Sequence, residues 1–161
     1  MNDAALAFYS SQGPMSRLPD GVKAPRDLDE MRAVVQGLLV HRDWVKAYGL
    51  TDADVRLDEQ NIRSTHDVIV RAQALSPEPI TVARPPVERV QGICRHFSLM
   101  HVAFLRAHGV PARMRCKLRI DRKQLIHSGC SFLFAAEFSA DRCNDKGRPE
   151  ESWHVHAFRL F

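Results

Sequence analysis

The sequence predicts an α+β fold, with a helical N-terminal half whose central buried helix packs on a small antiparallel sheet formed by the C-terminal part. Three observations carry this. From Cys94 to Ala107 there is no proline or glycine, and Phe97, Leu99, Met100, Val102, Ala103, Phe104 and Leu105 place apolar side chains on nearly every helical face. Upstream, apolar residues recur at helical spacing. Downstream, residues 113–120 alternate between basic and apolar, the period of a strand with one buried and one solvated face.

Taken in order, residues 1–26 read as a short helix and a loop, because Gly13, Pro14, Pro19, Gly21 and Pro25 punctuate the stretch after Ser10. Residues 27–76 form the helical part. Asp27 with Glu30 three residues on has the form of a helix N-cap, and Leu28, Met31, Val34, Val35, Leu38, Leu39, Val45 and Tyr48 follow at helical spacing until Gly49. Thr51 and Asp54 mark another helix start, and Ile62, Val68, Ile69, Val70, Ala72 and Leu75 continue the pattern. His41, Trp44 and His66 in this half read as core or surface residues without chemistry. Pro77, Pro79, Pro85 and Pro86 frame an extended connection toward Cys94.

Residues 90–116 contain the central helix and the start of the first strand. Gly109 stands where the left-handed residue after a helix belongs, and Pro111 stops the helix from resuming. In residues 117–161 the strand candidates are 130–138 and 154–161, separated by a polar loop with Asp141, Asn144, Asp145, Gly147 and Pro149.

Composition bounds the class. A chain of 161 residues, 45% hydrophobic and 26% charged, can bury one sizeable core, so a single domain over 1–161 is expected. There is no signal-peptide pattern and no stretch of membrane-spanning length, so a cytoplasmic location with no membrane association is expected. The net charge of +4 is spread along the chain and gives no clear nucleic-acid signal. Cys94, Cys116, Cys130 and Cys143 are widely spaced without a Cys-x-x-Cys pair, so neither a disulfide framework nor structural zinc is expected. His154 and His156, two apart on a strand, share a face, but no third metal ligand accompanies them. No metal or cofactor is therefore expected, and composition leaves the oligomeric state open.

Cys94 opens the central helix. Unpaired backbone N–H groups and the positive dipole end favour a thiolate there, and Arg95 and His96 are expected to add positive charge. Gly92-x-Cys94-Arg95-x-Phe97-Ser98, followed after the apolar helix by Leu105-Arg106-Ala107-x-Gly109-Val110-Pro111-Ala112-Arg113, resembles the central motif of the transglutaminase-like superfamily, whose fold is related to papain-like cysteine proteases. The chain upstream is more loosely similar to bacterial members.

The resemblance implies a cysteine enzyme acting on an amide carbonyl of a peptide or protein, by acyl transfer to an amine or by hydrolysis. Cys94 is then the nucleophile, and a histidine on a neighbouring strand is the general base. His156, in His156-Ala157-Phe158, matches the family's local pattern, with His154 second on the same face; His127 lies about as far from the cysteine as the Asp-His-Trp sequence of bacterial relatives but lacks its neighbours. The Asp-His-Trp stretch of the bacterial relatives is missing, and no carboxylate follows His156 to orient it; Asp141 and Asp145 precede it. A second expectation therefore stands beside the first, a catalytically inactive or truncated transglutaminase-like module that binds or scaffolds.

Overall fold

The computed structural model describes residues 3–114, together with the backbone of 134–136 and 156–158. Four α-helices and two pairs of short strands are seen there: α1 Asp3–Ser10, α2 Leu28–Leu38, β1 Leu39–His41, α3 Thr65–Leu75, β2 Val90–Gly92, α4 Cys94–Ala107, β3 Phe134–Ala136 and β4 His156–Phe158. Tight 3₁₀ turns at Arg42–Tyr48, Asp52–Asp54, Leu57–Asn61 and Pro86–Glu88 fill much of the connections.

Helix starts follow from their capping side chains. The Asp27 carboxylate accepts the Glu30 N–H at 2.8 Å to begin α2, and Ser64 Oγ accepts the Asp67 N–H at 3.0 Å to begin α3. The Asp54 carboxylate accepts both the Thr51 N–H at 2.8 Å and the Thr51 hydroxyl at 2.7 Å, but the turn it opens lasts only from Asp52 to Asp54. At the end of α4, Gly109 adopts φ +70°, and its N–H reaches the Arg106 carbonyl at 3.0 Å.

Helix α4 is the axis of the core. It packs against α1, α2, α3 and β2. Phe97, Leu99, Met100, Val102, Phe104 and Leu105 are all buried, each contributing about 1.5–3 kcal/mol of transfer free energy. Met31, Val34, Val35 and Leu38 from α2 and Val68, Ile69 and Ala72 from α3 close the same cluster. The first residues of the chain seal its far end: Gln12 Nε2 donates to the Ala103 carbonyl at 2.8 Å, and Ala112 N–H donates to the Tyr9 carbonyl at 3.0 Å.

The architecture is α+β in the broad sense, and two expectations are corrected. The helix expected to run from Leu28 to Tyr48 ends at Leu38, where the backbone becomes extended and β1 begins. The Leu38-Leu39-Val40 run fits a buried strand as well as a helix, and pairing with β2 decides between them. The sheet that α4 touches is accordingly parallel, and both strands come from upstream: Leu39 pairs with Val90, Val40 with Gln91 and His41 with Gly92. An antiparallel pair does occur within the two expected strand segments, with Phe134 opposite Phe158 and Ala136 opposite His156. Arg113 and Met114, expected to start a strand, are irregular, and 115–120 lie outside the described residues. No helix among the described residues is long and apolar enough to cross a membrane.

Candidate active site at the start of helix α4

The two parallel strands run side by side and end together, β1 at His41 and β2 at Gly92. One residue later the chain turns into α4, and Cys94 is its first residue. Cys94 is half-buried, whereas His96 through Met100 behind it are buried. A thiol at this position meets the positive end of a helix dipole while staying within reach of solvent.

The turn between β2 and Cys94 is held by His96. The N-cap residue Ile93 has no polar side chain, so the first turn is closed in the reverse direction: Ile93 N–H donates to His96 Nδ1 at 3.0 Å. That bond occupies the Nδ1 lone pair. The ring proton is then on Nε2, which donates to the Ile62 carbonyl at 2.8 Å. The ring is fully buried, and burial pulls its pKa below the ordinary histidine value, only partly offset by the hydrogen bond to Ile62. His96 is thus a neutral cap and not the positive charge that its neighbourhood to Cys94 suggested.

The same ring explains Gly92. A Cβ at that position would sit 3.0 Å from His96 Cβ and 3.2 Å from its Cγ, so the imidazole folds over the strand end only because Gly92 has no side chain. Arg95 is tied to the neighbouring loop, its Nη2 donating to the Gln60 carbonyl at 3.1 Å and the Ile62 carbonyl at 2.8 Å. Ser98, one turn on, donates its hydroxyl to the Cys94 carbonyl at 2.9 Å.

Beneath the strand end lies a buried ionic network. Glu59 is 4% exposed. Its Oε1 accepts from Arg56 Nε and Arg71 Nε, both at 2.8 Å, and its Oε2 accepts the Gln91 N–H at 2.7 Å. The Gln91 side chain completes the lattice, accepting the Arg56 N–H at 2.8 Å and donating to the Asp54 carbonyl at 2.7 Å. Every polar group of Glu59 and Gln91 named here has a partner of matching character, so the network anchors β2 without leaving a bare charge.

His41 closes the site from the β1 side. It is 7% exposed, and its ring stacks on Phe97, centroids 6.1 Å apart and planes inclined by 25°. Phe97 lies three residues after Cys94, on the same helix face. The Asp43 N–H donates to His41 Nδ1 at 3.3 Å. Burial lowers the His41 pKa, and the nearby Asp43 carboxylate opposes this more weakly.

Sequence reasoning passed over His41 and the role of Gly92. The signal for His41 was available, since an apolar run broken by a single polar residue is how a short buried strand ends. Trp44 is 45% exposed and borders a surface hollow of about 400 Å³ with Arg42, Asp43 and Lys46. His66 is partly exposed and paired with the Asp67 carboxylate at 3.0 Å.

Of the expected catalytic partners, His156 is placed by its backbone at the start of β4, opposite Ala136. His154, His127, Asp141 and Asp145 lie outside the described residues, as does half of the His154–His156 pair considered for metal. Among the described residues no group of three metal-ligating side chains is found. Comparison of the chain with protein-family models, with curated proteins and with solved structures returned no match.

Proposed function

We propose that the chain is a transglutaminase-like cysteine enzyme that acts on the amide carbonyl of a peptide or protein. The observation that carries this is the position of Cys94, half-buried as the first residue of a fourteen-residue core helix at the common end of two parallel strands. A helix start supplies both a field that favours the thiolate and backbone N–H groups for a developing oxyanion.

In this reaction a strand histidine, His156 first and His154 second, takes the thiol proton. The thiolate sulfur bonds to the carbonyl carbon, and the tetrahedral oxyanion collapses as the C–N bond breaks. The leaving amine takes the proton from the imidazolium. The resulting thioester is then attacked by an amine, giving transfer, or by water, giving hydrolysis. Neither His41 nor His96 serves as the base, because the Nδ1 of each already accepts a backbone N–H and the other nitrogen carries the proton.

The test is the pH dependence of Cys94 alkylation in the intact chain and in His156→Ala, His154→Ala and His127→Ala variants. The proposal expects Cys94 to react well below the pH needed for an ordinary thiol, near 8.5, with one of the three substitutions abolishing that behaviour. Reaction parallel to a model thiol in every variant would overturn it in favour of an inactive module.

A further inference from the structure

We propose that His96 is a proton-operated latch on the first turn of α4, holding the 92–94 backbone closed while its ring is neutral and releasing it when Nδ1 takes up a proton. The proposal goes beyond the cysteine chemistry and does not require Cys94 to be a nucleophile.

One ring nitrogen lies between two groups of the same residue. Nδ1 is 3.0 Å from the Ile93 amide nitrogen, which donates to it, and 3.3 Å from the Ile93 carbonyl oxygen. Nε2 is fixed separately, donating to the Ile62 carbonyl at 2.8 Å. A proton added to a neutral imidazole goes to its one free lone pair, here that of Nδ1, and leaves the Nε2 bond intact. Nδ1–H then faces the Ile93 N–H, donor against donor, with the Ile93 carbonyl beside it as an acceptor. The first turn of α4 depends on the bond that is lost, because Ile93 at the N-cap has no polar side chain to replace it.

The surroundings make the backbone, more than the ring, the part that yields. The ring is fully buried, tied to Ile62, and so close over the strand end that a Cβ on Gly92 would meet His96 Cβ at 3.0 Å. Residues 93–95 are only half-buried, so the released segment has access to water.

The charges nearby favour release over a protonated closed turn. Burial is the strongest opponent of a charged ring, and Arg95 on the same helix and His41 on β1 add to it. So does the positive end of the α4 dipole. Gly92 and Ile62 carry no titratable group. On the turn before Ile62, Glu59 is engaged by Arg56, Arg71 and Gln91, and Asp58 is exposed. At the start of α3, His66 and Asp67 pair with each other. In the opened turn the hydrated ring regains its ordinary value near 6.5. Above that pH nothing drives opening. Below it, each pH unit favours the opened turn by up to about tenfold, until the lower closed-state value is reached.

Hydrogen exchange of the Ile93 amide in the full chain between pH 7.5 and 5 tests this. Its protection factor is expected to hold above pH 6.5 and to fall by up to about tenfold per pH unit below it, more steeply than that of the Val110 amide, which bonds to Leu105 at the other end of α4. His96→Gln supplies a side chain that can accept the Ile93 N–H from the third helical position but cannot titrate. In that variant the extra fall at Ile93 should vanish, whereas a merely structural role would weaken protection equally at every pH. The same acid-dependent fall in His96→Gln, or equal slopes at Ile93 and Val110 in the wild-type chain, would overturn the latch.

A readout on the unmodified chain covers a variant that does not fold. Nitrogen-15 shifts should show the His96 ring as the Nε2–H tautomer at pH 7.5, and the Ile93 amide resonance should move with the ring's own midpoint, below 6.5. A proton on Nδ1 at pH 7.5, or ring titration without a response at Ile93, would equally overturn it. Alkylation of Cys94 is scored apart from these measurements, so the latch and the cysteine chemistry stand or fall separately.

Discussion

The two ends of α4 are held in place by different physics. Its C-terminal half is fixed by apolar contact: Val102, Ala103, Phe104 and Leu105 are buried in succession, and the end is tied off by backbone bonds at Gly109 and Val110. Its N-terminal end is fixed by polar groups, with His96 closing the first turn, Arg95 bonded to the 60–62 loop, and the Glu59 network gripping the strand that delivers Cys94. Apolar packing tolerates small shifts and gives a large stabilisation. Hydrogen bonds give less net energy but demand particular distances and angles. The end with the candidate chemistry is the one held by the directional forces.

The largest expected effect tests the packed half. Phe104 is fully buried, so Phe104→Ala should cost about 3–5 kcal/mol of unfolding free energy. If the contrast holds, native-state hydrogen exchange should then accelerate at the Val110 amide, which bonds to Leu105, more than at the Ile93 amide, which bonds to His96. Equal acceleration at both would mean the helix responds as one rigid unit.

Glu59→Gln tests the polar end. It removes the charge shared by Arg56 and Arg71 while keeping the side-chain size. Both arginines are partly solvated, Arg71 by 39%, so part of the loss is recovered through hydration. A cost of about 2–3 kcal/mol is expected in a denaturant titration. The Gln91 and Ile93 amides should lose protection first, and Cys94 should alkylate more slowly. An unchanged Cys94 rate would show that the network supports the fold without setting the site.

The smallest and most gradual effect comes from acid. His41, His96 and His101 all have pKa values depressed chiefly by burial. Above the ordinary value of 6.5 each is neutral in both folded and unfolded chains, and the stability is fully present. As pH falls below 6.5 the unfolded chain takes up protons that the folded one refuses, so stability declines until the lower folded-state value is reached, with a slope of at most about 1.4 kcal/mol per pH unit for each ring. Urea midpoints between pH 7.5 and 5 measure this. His41→Gln should flatten the slope, and a flat wild-type profile would contradict the burial of these rings.

This contrast also sorts what was legible in the sequence. The packed half of α4 could be read directly, because an unbroken apolar run ended by Gly109 and Pro111 has one physical solution, and the helix bounds of Cys94 and Ala107 follow from it. The N-cap at Asp27 is equally local, whereas the one at Ser64 goes unread and the helix start is placed at Thr51 instead. The parallel pairing of β1 with β2 was not legible, since three-residue strands are too short to show a period and their partners lie far apart in the chain. His41 and His96 escaped for the same reason: their roles come from Asp43, Ile62 and Ile93, which only the folded backbone brings to them. The resemblance to transglutaminase-like proteins rests on the Gly92–Arg113 stretch, and it indicated Cys94 without indicating what surrounds it.

The parallel pair has a consequence for how the molecule comes together in time. Helices α2 and α3 join residues close in the chain and can form as soon as they are made. The bond between β1 and β2 must instead close a loop of about fifty residues, running from Leu39 to Val90, and such closures raise the folding barrier because chain entropy is lost before contact is gained. The ledge that carries Cys94 is therefore among the later parts of the described structure to be assembled. Until that closure, Cys94 lacks the paired strand ends that lie beside the start of its helix in the folded chain.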